Sequence, residues 1–163
     1  MTCSAMADRG LYIAAFQLPR RCRLRVGALG RFPFAAGVYL YVGSAQRNRK
    51  ARVDRHGRKD KPLRWHIDYL SAKARMLGAV LVAGSRRQEC RLARTLAASL
   101  PRAVPRFGAS DCGCGGHLFY AGPTPGGAGL ARLLDMPGCD RRSIERLLGG
   151  SVWRPKPPGE TVT

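Results

Sequence analysis

The chain has 163 residues, 45% of them apolar, with 29 basic against 10 acidic side chains and a net charge of +19. The length suits one domain with a true core, and the apolar share excludes wholesale disorder. The charge points to a polyanion, nucleic acid ahead of an anionic membrane, and no apolar run approaches the length of a membrane span.

Residues 1–9 read as a loose leader without the apolar core of a signal peptide. Leu11 to Leu18 (LYIAAFQL) is an apolar run of strand character. Pro19 ends it. Arg23 to Val26 alternates charged and apolar residues, the pattern of a half-exposed strand. Gly27, Gly30 and Pro33 punctuate the connection that follows. Val38 to Val42 (VYLYV) is β-branched and aromatic, a third strand. Residues 46–64 mix helix and loop, with Pro62 blocking helix continuation.

Trp65 to Arg75 reads as a helix that anchors Trp65, His66 and Asp68 against the sheet, with His66 or Asp68 facing a site as the lesser reading. Leu77 to Val82 is a further strand. Ser85 is the expected N-cap of a helix whose Leu92, Leu96 and Leu100 form an apolar stripe. Pro101 and Pro105 stop it. A Gly-rich loop (FGASDCGCGG, residues 107–116) leads to a last strand over His117 to Ala121. Gly122 to Gly129 is a connector, and Ile144 to Leu148 a short closing helix. The domain is expected to span residues 10–150, with residues 151–163 a disordered Pro-rich tail.

The six cysteines have no secretory context and read as free thiols of a cytoplasmic protein. Cys112, Cys114 and His117 form a Cys-x-Cys-x-x-His arrangement. That spacing is not a standard finger and lacks a second Cys pair, so we expect the thiols to pack and Ser110 and Asp111 to organise a turn. Zinc, with Cys90 or Asp111 as fourth ligand, is the lesser reading.

Tyr41-Val42-Gly43-Ser44 followed by Arg52 and His56 carries the most chemistry. Arg52 and His56 share one face if their segment is helical. A guanidinium forks onto phosphate oxygens, and Tyr or His can pass a proton. A phenol has an ordinary pKa near 10, so Tyr12 or Tyr41 would need cationic neighbours to work at neutral pH. By spacing alone both tyrosines read as core residues. Glu89 alone reads as an acid near the positive end of a helix. Fourteen basic residues lie between Arg20 and Arg64 against only Asp54 and Asp60. Within that run, Arg47, Arg49, Lys50, Arg55, Arg58, Lys59, Lys61 and Arg64 are the expected nucleic-acid contacts, gripping phosphates with little sequence preference.

Six stretches in order carry a family resemblance: GLYIAAFQL, VG-x-LG-x-FPF-x-x-GVYLYVGSA, RVDRH, KPLRWHIDYL, EC-x-LA and FGASDCGC-x-x-HLFY. They resemble the domain-of-unknown-function 123, or Uri-type, branch of the GIY-YIG nuclease superfamily. The resemblance implies an α/β domain with a small, mainly antiparallel central sheet flanked by helices and an extra N-terminal hairpin. It implies a metal-dependent endonuclease acting on nucleic acid, DNA more than RNA. Gly10-Leu11-Tyr12 and Tyr41-Val42-Gly43 would be its two motifs, with Tyr12, Tyr41, Arg52 and His56 catalytic. Glu89 would hold a single Mg²⁺ or Mn²⁺. The chain departs from the branch at Asn48-Arg49-Lys50, where Gly and Leu are usual. The alternatives are a non-catalytic nucleic-acid-binding module on the same scaffold, and a basic nucleoprotein component whose thiols hold zinc.

Overall fold

The computed structural model describes residues 8–82, 84–98, 100–110, 112–123 and 151–153. The expected helix at Ile144–Leu148, Asp111, and most of the Gly122–Gly129 connector lie outside them. Among the described residues five antiparallel strands form the central sheet: β1 (Gly10–Leu18), β4 (Gly37–Ala45), β5 (Arg75–Val82), β6 (Leu118–Tyr120) and β7 (Ser151–Trp153), in the order β6-β4-β1-β5-β7. Strands β2 (Cys22–Arg25) and β3 (Arg31–Phe34) make a separate hairpin between β1 and β4. The mixed α/β architecture expected from sequence is therefore present, extra hairpin included.

The sheet is covered on both faces, and the strand sequences say why. β1 and β4 are apolar at nearly every position, without the alternation of a sheet wet on one side. Tyr12, Ala14, Phe16, Tyr39 and Tyr41 face one core, where α1 (Arg49–Gly57) and α2 (His66–Ser71) contribute Val53, Ile67 and Leu70. Ile13, Ala15, Val38, Leu40 and Val42 face the other, closed by Ala93 and Leu96 of α3 (Glu89–Ala97). Each such fully buried Leu or Ile contributes roughly 1.5–3 kcal/mol.

Four local differences from the sequence reading have physical causes. Arg31–Phe34 is a strand despite Pro33, because Pro33 sits in a two-stranded hairpin where one missing N–H is tolerated. The helix at Trp65 stops at Ser71, because Arg75 and Met76 join β5 and pair with Gln17 and Phe16. Asp8 is tied down: its carbonyl accepts from Arg49 N–H and its carboxylate from Lys50 N–H at 2.9 Å. It thereby caps α1, whose own N-cap Asn48 is left-handed (φ 50°) and makes no side-chain cap. Ser151–Trp153, expected in the tail, pairs with Ala79–Leu81 as β7 and covers the outer edge of β5.

Candidate active site

The site lies where β4 runs out at Ser44. Arg52 of α1 donates to the Ser44 carbonyl at 2.7 Å, and the Ser44 hydroxyl donates to Glu89 Oε2 at the start of α3. Helices from opposite faces of the sheet thus meet on one residue. They enclose a cavity of about 600 Å³ lined by Tyr12, Tyr41, Arg52, His56, Trp65 and Glu89 among others.

Tyr12 and Gly43 are partners across β1 and β4. A Cβ at Gly43 would land on the Tyr12 phenol. The glycine of the Tyr-Val-Gly turn therefore makes room for the tyrosine of the neighbouring strand. Tyr12 Oη and His56 Nε2 share a hydrogen bond of 2.7 Å, and the Tyr41 ring lies 5.9 Å from the His56 ring, edge on. His56 is 1% exposed.

Burial governs protonation on this wall. It pushes both phenols above their ordinary value, with Arg52 opposing and losing. This corrects the expectation that cations would bring a phenol down. Burial, reinforced by Lys61, pushes His56 down to about 3. All three groups are neutral at neutral pH.

The opposite wall is ionic. Glu89 accepts from His117 Nδ1 at 3.0 Å and from the Ser44 hydroxyl. Burial raises its carboxyl, but these two hydrogen bonds outweigh burial and hold it below the usual carboxylate range. Burial lowers His117 while Glu89 and Cys114 lift it, leaving it at about 9.

Behind His117 the thiols gather. Cys90, Cys112, Cys114 and His117 each offer a ligand atom within 4.8 Å of the others. This corrects the expectation that the thiols merely pack, because the group could hold a metal ion. Its sulfur content favours zinc over Mg²⁺ or Mn²⁺.

A family model described as "Domain of unknown function DUF123" matches residues 11–128. The chain belongs to that family. No curated protein and no solved structure matches it.

The DUF123 domain uses its basic residues unevenly. Arg55 forks onto the Asp68 carboxylate at 2.7 and 3.0 Å and reaches the Pro62 carbonyl. Asp68 also accepts the backbone N–H groups of Arg64 and Trp65 at 2.9 Å. Lys61 donates to the Arg55 and His56 carbonyls at the end of α1 and to Ser71 Oγ of α2. Lys59 reaches the Ser71 and Ala74 carbonyls. Arg49 is buried with a guanidinium nitrogen on the Leu11 carbonyl. These four were expected on nucleic acid, and their head groups are instead engaged inside the fold. Arg47, Lys50, Arg58 and Arg64 remain exposed, and Arg47 and Arg64 line the cavity.

Sequence reasoning underplayed Trp65 and His66, which line the cavity. Trp65 is 39% exposed and carries the Arg52 and Arg55 guanidinia 4.9 and 4.4 Å from its ring centroid. His66 Nδ1 accepts the Gly108 N–H at 2.9 Å, tying α2 to the Gly-rich loop. A tryptophan three residues after Pro62, at the end of the basic run, was the available signal. Among the described residues no helix is long and apolar enough to cross a membrane.

Proposed function

We propose that this cavity hydrolyses phosphodiester bonds of nucleic acid, DNA in preference to RNA, as a GIY-YIG-type endonuclease. The observation that carries the reading is the convergence of Tyr12, Tyr41, Arg52, His56 and Glu89, from four separate elements, on one cavity. The motif order of the sequence supports it independently.

Arg52 meets the phosphoryl oxygens, already oriented by the Ser44 carbonyl and the Trp65 face. The attacking water gives its proton to Tyr12 Oη while the Tyr12 proton passes to His56 Nε2 across their hydrogen bond. Tyr41, beside both rings, orients the water. An imidazole held low by burial gains affinity for a proton as an anionic phosphate enters. The water oxygen bonds to phosphorus, the P–O bond to the leaving oxygen breaks and that oxygen takes a proton from solvent, while the proton held at His56 is released to solvent.

The residues fit a hard divalent ion. Among the described residues that line the cavity Glu89 is the single carboxylate, and each of its oxygens keeps a lone pair beyond the hydrogen bond it makes to Ser44 or His117. One carboxylate suits an ion that retains waters and takes phosphate oxygens as further ligands. Bound there, Mg²⁺ or Mn²⁺ relieves charge on the phosphoryl group.

The test is cleavage of labelled single-stranded, duplex and branched DNA and RNA with Mg²⁺, Mn²⁺ or chelator. Glu89→Ala should lower metal-dependent cleavage by roughly 10²–10³-fold. Tight binding without cutting, unchanged by chelator and by the substitution, would instead establish a binding module. The raised phenols and the low His56 favour that second reading.

A further inference from the structure

We propose that Cys90, Cys112, Cys114 and His117 bind one Zn²⁺ in a closed Cys₃His site set directly behind the carboxylate of the candidate active site. The hydrolytic reading does not use these thiols, and the inference does not depend on it.

The ligands come from three parts of the chain. Cys90 is the second residue of α3, Cys112 and Cys114 lie in the Gly-rich loop, and His117 immediately precedes β6. Nothing in local sequence brings these segments together. Their convergence within 4.8 Å is a tertiary event.

The spacing suits a tetrahedron. With Zn–S near 2.3 Å and Zn–N near 2.0–2.1 Å, a tetrahedral centre separates S and N by about 3.6 Å. His117 Nε2 lies 3.7 Å from Cys112 Sγ and 3.9 Å from Cys90 Sγ. Four sites with three soft thiolates reject Mg²⁺ and Ca²⁺, which want oxygen. Full ligation by four side chains is the composition of structural zinc, with no position left for water.

The imidazole is already aimed for the task. His117 is 1% exposed and turns Nε2 to the thiols and Nδ1 to Glu89. A carboxylate accepting Nδ1–H fixes the tautomer that leaves a lone pair on Nε2, which is the usual arrangement outside a ligating histidine. On ligation the three thiols each release a proton, and the His117 imidazolium gives up its Nε2 proton so that this nitrogen meets the ion with its lone pair.

The loop also needs such a clamp. It is closed by Arg106 N–H to the Gly115 carbonyl and His117 N–H to the Phe107 carbonyl. Among its described residues from 108 to 116 only Ala109 joins the buried apolar core. A shared ion would tie the loop to α3 and hold His117, and through it Glu89, in place.

The experiment is metal content of the full-length chain, purified under reducing conditions and free of nucleic acid. It is followed by Co²⁺ replacement monitored for thiolate-to-cobalt charge transfer and tetrahedral d–d bands. We expect one zinc per chain, the cobalt spectrum of a tetrahedral thiolate site, and loss of both in Cys112→Ser and Cys114→Ser. Ser110→Ala, in the same loop, should keep full zinc. A folded wild-type chain that takes up neither zinc nor cobalt overturns the proposal, as does equal uptake by wild type and the Cys→Ser variants. Because wild type alone can fail the test, an unfolded variant does not rescue the idea. Zinc without nucleic-acid cleavage would sink only the hydrolytic reading, and cleavage by a zinc-free chain only this one.

Discussion

Of the imidazoles that line the cavity, His56 and His117 are both 1% exposed, and the fold treats them in opposite ways. His56 is set among phenols and the Lys61 ammonium and is pushed down to about 3. His117 is set against the Glu89 carboxylate and rises to about 9. Equal burial gives opposite outcomes because burial penalises charge only until a partner of the other sign compensates it. One wall holds a neutral hydrogen-bonded pair, Tyr12 and His56. The other is built to hold charge still, with Ser44, Glu89, His117 and the thiols linked in series.

The contrast breaks most easily on the neutral wall. Tyr12→Phe and His56→Ala should each lower cleavage by roughly 10²–10⁴-fold, the range for a lost proton-transfer group. Tyr12→Phe removes little more than the hydroxyl, so thermal unfolding should barely move. If the two groups act as one relay, the double variant should be no worse than the poorer single. Independent, multiplying losses would show that Tyr12 and His56 do not hand a proton to one another.

This arrangement was only partly legible in the sequence. Tyr12, Tyr41, Arg52, His56 and Glu89 could be named from motif order, because the strand and helix that carry them have strong local patterns. The Tyr12–His56 bond spans 44 residues, and no local pattern announces it. The direction of the phenol shifts was also hidden, because it depends on how completely the strands bury them. Cys90 was only one of two candidate fourth ligands beside Asp111, because a helix and a loop separate it from Cys112 and Cys114 and the choice needed the packing of α3 to be known. The edge strand at Ser151 was masked by its Pro-rich neighbours. The basic run did not announce which of its cations the fold keeps for itself.

A pH titration sharpens the comparison with a smaller effect. The folded value of His56, about 3, lies below the ordinary histidine value of 6.5. Between those values the unfolded chain binds more protons than the folded one, so stability falls as pH drops through that window. One such group changes stability by at most about 1.4 kcal/mol per pH unit. From pH 6.5 to 5 the wild type should lose about 2 kcal/mol more than His56→Gln, measured by urea unfolding at each pH. His66, also lowered by burial, contributes in the same direction but is present in both chains and cancels. Parallel pH profiles for the two chains would mean that His56 is not held neutral.

The smallest effect separates cations that serve the surface from cations that serve the fold. Arg58 is exposed, whereas the Lys61 side chain is 1% exposed and caps the end of α1. A cation that neutralises one phosphate adds about 0.9 to the slope of log affinity against log salt on duplex DNA. Arg58→Gln should therefore weaken DNA binding a few-fold and flatten that slope by about 0.9, with the melting temperature unchanged. Lys61→Gln should do the reverse. It leaves two α1 carbonyls and the buried Asp68 without their ammonium, so the melting temperature falls while the salt slope holds. A slope that falls for Lys61 and holds for Arg58 would mean that α1 turns its other side to the nucleic acid. Its C-terminal end, with Lys61 and the Arg55–Asp68 pair, would then be the binding face.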